Sequence, residues 1–392
     1  MFCGCSKDEP DEPAYEHFVS IQSGSPYSKD FLPTALASQG YGEYAALPTS
    51  DVQAYRMVYT TSYPKGTKLN ASGTMFVPKE YDQSFPTLIF HHGTNEERES
   101  AAVLTLTETY FCVTLSSAFH CVVLAPDYIG YGESKSVVHP YNHSESLGQS
   151  GLDFLLACKE YTRAPQVDLT FNPNIFITGY SEGGYAAVAL QKTIDERPSA
   201  GLNVAKTVAG TGAYDLVAFS KELVAYQNPL DAKVIASYLW MLEMYKTDHQ
   251  YTKNYADIFS ESDNNLLKTL NYQFAYFNTE KLNINLAPTQ LLSSQFREDI
   301  LNDRDAEFRA ISGKNSFTDF VPRDSLIFVY GDKDRWVFPV NTENTYRAML
   351  AKGGKVKAYL QKGGDHASTI DLYIQVVLSR CKMYLKNEPK TK

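Results

Sequence analysis

Residues 176–190 read FITGYSEGGYAAVAL, and the reading of this stretch decides how the rest of the chain is understood. Ile175, Phe176 and Ile177 form an apolar run suited to a buried strand. Ala186, Ala187, Val188, Ala189 and Leu190 are small or apolar and open a helical pattern. Ser181 sits at the bend between the two, flanked by Gly179 and Gly183. Glycines there let the helix pass close to neighbouring strands, and the bend can hold the serine in a strained conformation with its hydroxyl exposed. The helix N-terminus also favours negative charge developing beside it. As a bare pattern, Gly-x-Ser-x-Gly equally arises in a glycine-rich turn without chemistry, so the partners of Ser181 must decide.

A serine hydroxyl needs a base to become a nucleophile. In strand–turn–helix nucleophile sites the acid and then the histidine follow the serine along the chain. Only His249 and His366 follow Ser181. His249 lies in the polar run KTDHQYTK (246–253) and reads as a surface residue. His366, in QKGGDHAST (361–369), directly follows the last apolar run, where a glycine-rich loop can carry an imidazole over Ser181. For the acid, FVYGDKDRWVFP (328–339) offers Asp332 and Asp334. The pattern Gly331-x-x-Asp334-x-x-Val337-x-Pro339 puts Asp334 at the acid position, and Asp332 is expected to order the loop or cap the following helix. Asp365 is adjacent to His366 and so is poorly placed to orient its ring.

A developing oxyanion needs two backbone N–H donors. Glu182, directly after Ser181, supplies one through its amide, not its carboxylate. The loop FHHGTNEE (90–97) supplies the other, with Thr94 as the expected donor and His92 and Gly93 as loop support. The His91-His92 pair has no acidic residue at ligand spacing on a helix, so neither a metal nor a cofactor is expected.

Outward from this centre, VQAYRMVYTT (52–61) and KLNASGTMFVP (68–78) alternate with a period near two and read as an antiparallel hairpin. Apolar runs at 86–93, 120–128, 174–180 and 204–212 alternate with helical patterns at 97–117 and 145–163, which implies parallel strands joined by right-handed crossovers. Strand patterns return at 324–332 and 355–363, followed by a helical stretch at 368–385. Between them, residues 214–320 are helical in pattern, with aromatic-rich segments at 237–245 and 270–277. A helical block between two strands of one sheet reads as a cap; the alternative is a separate helical domain. The expected organisation is a tether at 1–30, an α/β core at 31–213 and 321–392, and a helical cap at 214–320.

Across 392 residues, 43% are hydrophobic and 21% charged, a globular composition. No run reaches the roughly 20 apolar residues that a membrane helix needs. The net charge of −9, without a basic patch, argues against nucleic acid as a partner. The 28 tyrosines read mainly as strand and surface aromatics. Cys3, Cys5, Cys112, Cys121, Cys158 and Cys381 show no metal spacing and read mostly as free thiols, although Cys112 with Cys121 or Cys158 with Cys381 could pair in an oxidising compartment. Residues 1–13 lack a complete signal peptide. Gly4-Cys5-Ser6 and the acidic, proline-containing run after it resemble the start of a mature bacterial lipoprotein, which implies lipidation at Cys5 and an exported chain tethered at an outer membrane or cell surface. The other reading is an ordinary polar tail. Oligomeric state is not encoded in any motif here.

Together, HHG (91–93), PDYIGYGES (126–134), GYSEGG (179–184), GDKD (331–334) and DH (365–366) resemble the α/β-hydrolase superfamily over about residues 50–385. The span from APDYIGYGES to HPY (125–141), with the hairpin before it, resembles the secretory-lipase-like branch, whose members carry a helical cap. The resemblance implies an α/β-hydrolase fold: a mostly parallel central sheet flanked by helices, with an inserted helical cap. It also implies that Asp127 and Tyr128 brace the oxyanion region, Tyr128 reaching toward the site. The implied activity is carboxylester hydrolysis by Ser181, Asp334 and His366 through an acyl-enzyme, on a small-molecule, lipid or acylated ester. A serine peptidase of the same fold, an acyl or feruloyl esterase acting on polysaccharide-linked esters, and a catalytically inactive binding module are the alternatives.

Overall fold

A computed structural model describes residues 15–79, 85–95, 103–260 and 287–387. The expected hairpin forms from β2 (Val52–Tyr63) and β3 (Thr67–Pro78), paired in unbroken register from Val52↔Pro78 to Tyr63↔Thr67. Lys65 and Gly66 turn the chain with φ of 71° and 86°, a conformation that glycine adopts without steric cost.

The tether expected at 1–30 is corrected within its described part. Phe18–Tyr27 forms strand β1, antiparallel to β2, with Ile21 opposite Met57. The Glu160 carboxylate also accepts hydrogen bonds from the amides of Glu16, His17 and Phe18, at 3.2, 2.9 and 2.8 Å. An edge strand with one neighbour and a mostly exposed face needs backbone partners more than apolar side chains. A composition argument, which registers burial, therefore misses it. Cys3 and Cys5 lie outside the described residues.

Six further strands follow: β4 (Thr87–His91), β5 (Val122–Pro126), β6 (Asn174–Tyr180), β7 (Asn203–Gly210), β8 (Leu326–Gly331) and β9 (Val356–Gln361). The sheet order is β1-β2-β3-β5-β4-β6-β7-β8-β9, antiparallel as far as the β3–β5 pair and parallel beyond it. Successive side chains point to opposite sides, and both faces of β4 to β8 are largely covered, whereas the edge strand β9 leaves Lys357 and Leu360 exposed. Ile89, Ile175 and Ile177 join one core with α3 (Ser144–Tyr161) and α4 (Glu182–Glu196). Leu88, Phe90 and Phe176 join another with α2 (Leu106–Phe119) and the C-terminal helix Thr369–Asn387; the short α1 (Leu32–Ser38) contributes Leu32 there. The helix expected from 97 begins at Leu106, where Thr105 and Glu108 form a reciprocal capping box; residues 97–102 lie outside the described set.

Between β7 and β8 the described chain forms α5 (Leu216–Ala225), α6 (Ala232–Thr247) and the helices Tyr255–Ile258, Pro288–Leu291, Ser294–Leu301 and Ala306–Lys314. The segments at 262–270 and 270–277 lie outside the described residues. Among the described residues, no helix is long and apolar enough to cross a membrane. Cys112, Cys121, Cys158 and Cys381 are buried free thiols, and burial pushes all four upward in pKa. The tyrosines are less superficial than expected: Tyr59, Tyr185, Tyr214 and Tyr373 are among those fully buried.

Candidate active site

Ser181 follows β6, Asp334 follows β8, His366 follows β9 and the loop 92–94 follows β4, so all four sit at the carboxyl ends of parallel strands. Ser181 has φ 60° and ψ −123°, well outside the ordinary regions for a residue with a side chain. The fold holds it there by local contacts. Its amide donates to Gly210 O at 2.9 Å, and α4 starts immediately after it. The turn is too tight for side chains at its glycines. A Cβ on Gly183 would lie 2.0 Å from the His91 carbonyl oxygen, and one on Gly179 would lie 2.2 Å from Gly183 O.

The three sequence-predicted reacting residues come together. His366 Nε2 lies 3.0 Å from Ser181 Oγ, and His366 Nδ1 lies 2.8 Å from Asp334 Oδ2. The second Asp334 oxygen accepts from the amides of Trp336 and Val337, at 2.8 and 2.9 Å, so the fully buried carboxylate is held from both ends. A carboxylate oxygen only accepts; Nδ1 therefore carries the ring proton, and Nε2 offers its lone pair to the serine hydroxyl. Asp332 accepts from the Gly363 amide at 2.6 Å and orders the loop that carries His366. Asp365 caps its own turn through Ser368 and does not touch the imidazole of His366. His249 is not the surface residue expected: it is half-buried, its Nε2 lies 2.9 Å from Asn315 Nδ2, and burial lowers its pKa to about 4. The residues around it (α3, α6 and the loop at Asn315) cover it, which a polar sequence run cannot reveal.

The loop after β4 lies against the serine. A Cβ on Gly93 would be 3.9 Å from Ser181 Cβ. The Gly93 amide donates to Glu108 Oε1 at 3.0 Å, and the Thr94 hydroxyl lies 3.0 Å from Tyr141 Oη. His92 and Tyr128 stack with ring centroids 4.1 Å apart, and the Tyr128 hydroxyl donates to His92 O at 2.9 Å. His92 Nε2 lies 3.3 Å from Asp127 O, while the Asp127 carboxylate accepts from Arg56 and from Ser72 Oγ. Asp127, Tyr128 and His92 thus support the loop from behind and make no described hydrogen bond to Ser181.

A cleft of about 410 Å³, counting its open mouth, lies at Ser181 and Glu182. Val234, Tyr238 and Met241 of α6 line it, opposite Trp336 and Val337 of the acid loop. One side of the aromatic helix therefore faces the serine, and the remainder packs in the core.

No protein-family model matches the chain, and no curated protein matches it by sequence. Solved structures do match it. A Legionella pneumophila protein provisionally assigned as a hydrolase superposes with TM-score 0.84 at 21% identity, over 96% of this chain and 100% of that one. The rice cell wall degrading esterase LipA from Xanthomonas oryzae gives TM-score 0.73 at 19% identity, over 96% and 98%. Candida antarctica lipase A gives 0.64 at 12%, over 97% and 84%. The chain has the α/β-hydrolase fold.

Within this fold several site residues escape the sequence reading. Tyr180 donates its hydroxyl to His366 O at 2.6 Å, and Trp336 packs its ring 5.0 Å from the imidazole. Both adjoin a motif residue in sequence, which was the available signal. Thr211 Oγ1 lies 3.3 Å from His366 Nδ1, with no local pattern to mark it. The Glu182 side chain has a partner of its own. It is fully buried, with Oε1 2.7 Å from His139 Nε2, and His139 Nδ1 lies 2.7 Å from Ile129 O. The two partners are 43 residues apart in sequence, and nothing in either segment announces the other.

Proposed function

We propose that this protein is a serine carboxylester hydrolase. The observation that carries the reading is the continuous chain Asp334 Oδ2–His366–Ser181 Oγ, at 2.8 and 3.0 Å, ending on a strained serine in an open cleft. His366 takes the Ser181 proton as Oγ attacks the ester carbonyl. The amides of Glu182 and Thr94 receive the oxyanion, assisted by the N-terminal end of α4. His366 then protonates the leaving alcohol, and a water activated by the same imidazole releases the acid. Asp334 keeps Nδ1 protonated and stabilises the imidazolium. The apolar α6 wall beside the serine supports an ester carrying an apolar group, and the X. oryzae and C. antarctica neighbours, an esterase and a lipase, support ester chemistry over peptide cleavage.

Ser181→Ala tests the reading directly. Hydrolysis of p-nitrophenyl butyrate should fall by roughly 10⁴-fold or more, and covalent labelling by a fluorophosphonate should vanish. Wild-type turnover in Ser181→Ala would defeat the assignment. Faster cleavage of amino-acid arylamides than of esters by the wild type would make it a peptidase.

A further inference from the structure

We infer that the three-residue segment His139–Tyr141 is a positioning frame for both oxyanion donors, seated on Trp240 of the helical insertion. The inference rests on the ester-hydrolase reading above and adds to it a role for the HPY segment, which the resemblance marks without assigning it one. The two donors belong to different elements: Glu182 opens α4 after β6, and Thr94 lies in the loop after β4. Each is tied, through its own side chain, to the same short segment. Glu182 Oε1 meets His139 Nε2 at 2.7 Å, and Thr94 Oγ1 meets Tyr141 Oη at 3.0 Å. The segment in turn rests on α6. Trp240 Nε1 donates to the His139 carbonyl at 3.1 Å, and the Trp240 ring stacks on Tyr141 with centroids 4.9 Å apart and planes 20° from parallel. Paired β4 and β6 set the two loops side by side as far as His91↔Gly179, and beyond that register this segment is a contact common to both donor residues.

Hydrogen-bond chemistry sharpens the role of His139. Its Nδ1 faces a carbonyl oxygen, which can only accept, so Nδ1 is protonated. Between Nε2 and Glu182 Oε1 there must then be one further proton, whichever atom bears it, and the pair as a whole is neutral. The pair thus ties down the first residue of α4 without placing a net charge beside the developing oxyanion. Glu182 Oε2 has no hydrogen-bond partner among the described residues, so His139 is the sole polar anchor of this carboxyl group there. Both nitrogens of His139 are engaged, so it has no free site with which to exchange a proton with substrate. It positions.

Four variants test this: Tyr141→Phe, Glu182→Ala, Glu182→Gln and Ser181→Ala, assayed for kcat and KM on p-nitrophenyl butyrate and for inhibition by a boronic acid that forms a tetrahedral adduct. Tyr141→Phe removes one oxygen and keeps the ring on Trp240; Glu182→Ala removes the anchor of the other amide. Each should lower kcat by roughly 10- to 100-fold, with KM changed less than about twofold, and weaken the boronic acid by the same factor as kcat. Glu182→Gln should regain most of what Glu182→Ala loses, because its amide N–H can donate to Nε2 of a neutral His139. A merely structural contact would move the melting temperature without this selective loss of transition-state binding. If Tyr141→Phe and Glu182→Ala keep wild-type kcat, lose only KM, or if Glu182→Gln is as impaired as Glu182→Ala, the inference is overturned while an inactive Ser181→Ala leaves the ester-hydrolase reading standing. An active Ser181→Ala overturns both.

Discussion

Two histidine–carboxylate pairs flank Ser181, and they are nearly identical as contacts. His366 meets Asp334 at 2.8 Å; His139 meets Glu182 at 2.7 Å. They differ in what the other nitrogen does. In the first pair Nδ1 faces the carboxylate, and Nε2 is left for the serine hydroxyl at 3.0 Å. In the second Nε2 faces the carboxylate, and Nδ1 is used up on the Ile129 carbonyl. They differ also in access: the His366 side chain is 15% exposed, whereas both side chains of the second pair are fully enclosed. An imidazole with a free nitrogen and a path to substrate can move protons, and one with both nitrogens tied can only hold a shape. A buried pair beside a nucleophile is therefore no indication of proton transfer until its second nitrogen has been traced.

Asp334→Asn is the sharpest way to break the comparison. The asparagine oxygen can still accept from Trp336 and Val337, but its amide would then donate toward Nδ1 and turn His366 to the wrong tautomer. The expected result is a loss in kcat of roughly 10³- to 10⁴-fold on an ester substrate, with cooperative unfolding preserved. His139→Ala should act on both levels, with the smaller kcat loss of roughly 10- to 100-fold expected when Glu182 loses its anchor, and with a clear loss of stability. It leaves the Glu182 carboxyl enclosed with no partner among the described residues, and the expected cost is about 3 kcal/mol in unfolding free energy by urea titration. If His139→Ala unfolded at the wild-type urea midpoint, the second pair would not be a structural tie at all.

The same contrast explains what could be read in advance. Ser181, Asp334 and His366 follow strand ends in a fixed order, each in a glycine-marked loop, so chain order and local pattern converge on them. Strands β4 to β8 were legible because each carries a short apolar run bounded by turn residues and largely buried on both faces, and the edge strand β9 because its run lies between glycine-marked turns. Strand β1 was not, because an edge strand relies on backbone pairing and on the Glu160 carboxylate, and its exposed face reads as polar tail. The Glu182 carboxylate was set aside in favour of its amide because its partner is remote in sequence; its burial is a property of packing between α4 and the segment before α3. HPY at 139–141 did stand out as a resemblance, but its function depends on Trp240, about 100 residues away, which no linear pattern connects to it.

A third histidine sets the lower limit of the comparison. His91, at the end of β4, is completely enclosed, and neither ring nitrogen has a hydrogen-bond partner among the described residues. Burial first, and the neighbouring His92 second, lower its pKa to about 3. In the unfolded chain it titrates near 6.5. As pH falls through 6.5 the unfolded state gains a proton that the folded state refuses. Stability should therefore decline by about 1.4 kcal/mol per pH unit until the pH nears 3, or about 2 kcal/mol by pH 5. His91→Leu removes the titrating group and leaves every other one in place. Whatever it costs in packing at pH 7, the difference in unfolding free energy between pH 7 and pH 5 should shrink by about 2 kcal/mol relative to wild type. Measuring urea midpoints of both proteins at the two pH values decides it. An unchanged difference would mean that His91 acquires a proton in the folded state, which requires a partner for its nitrogens and would place it with the other two pairs.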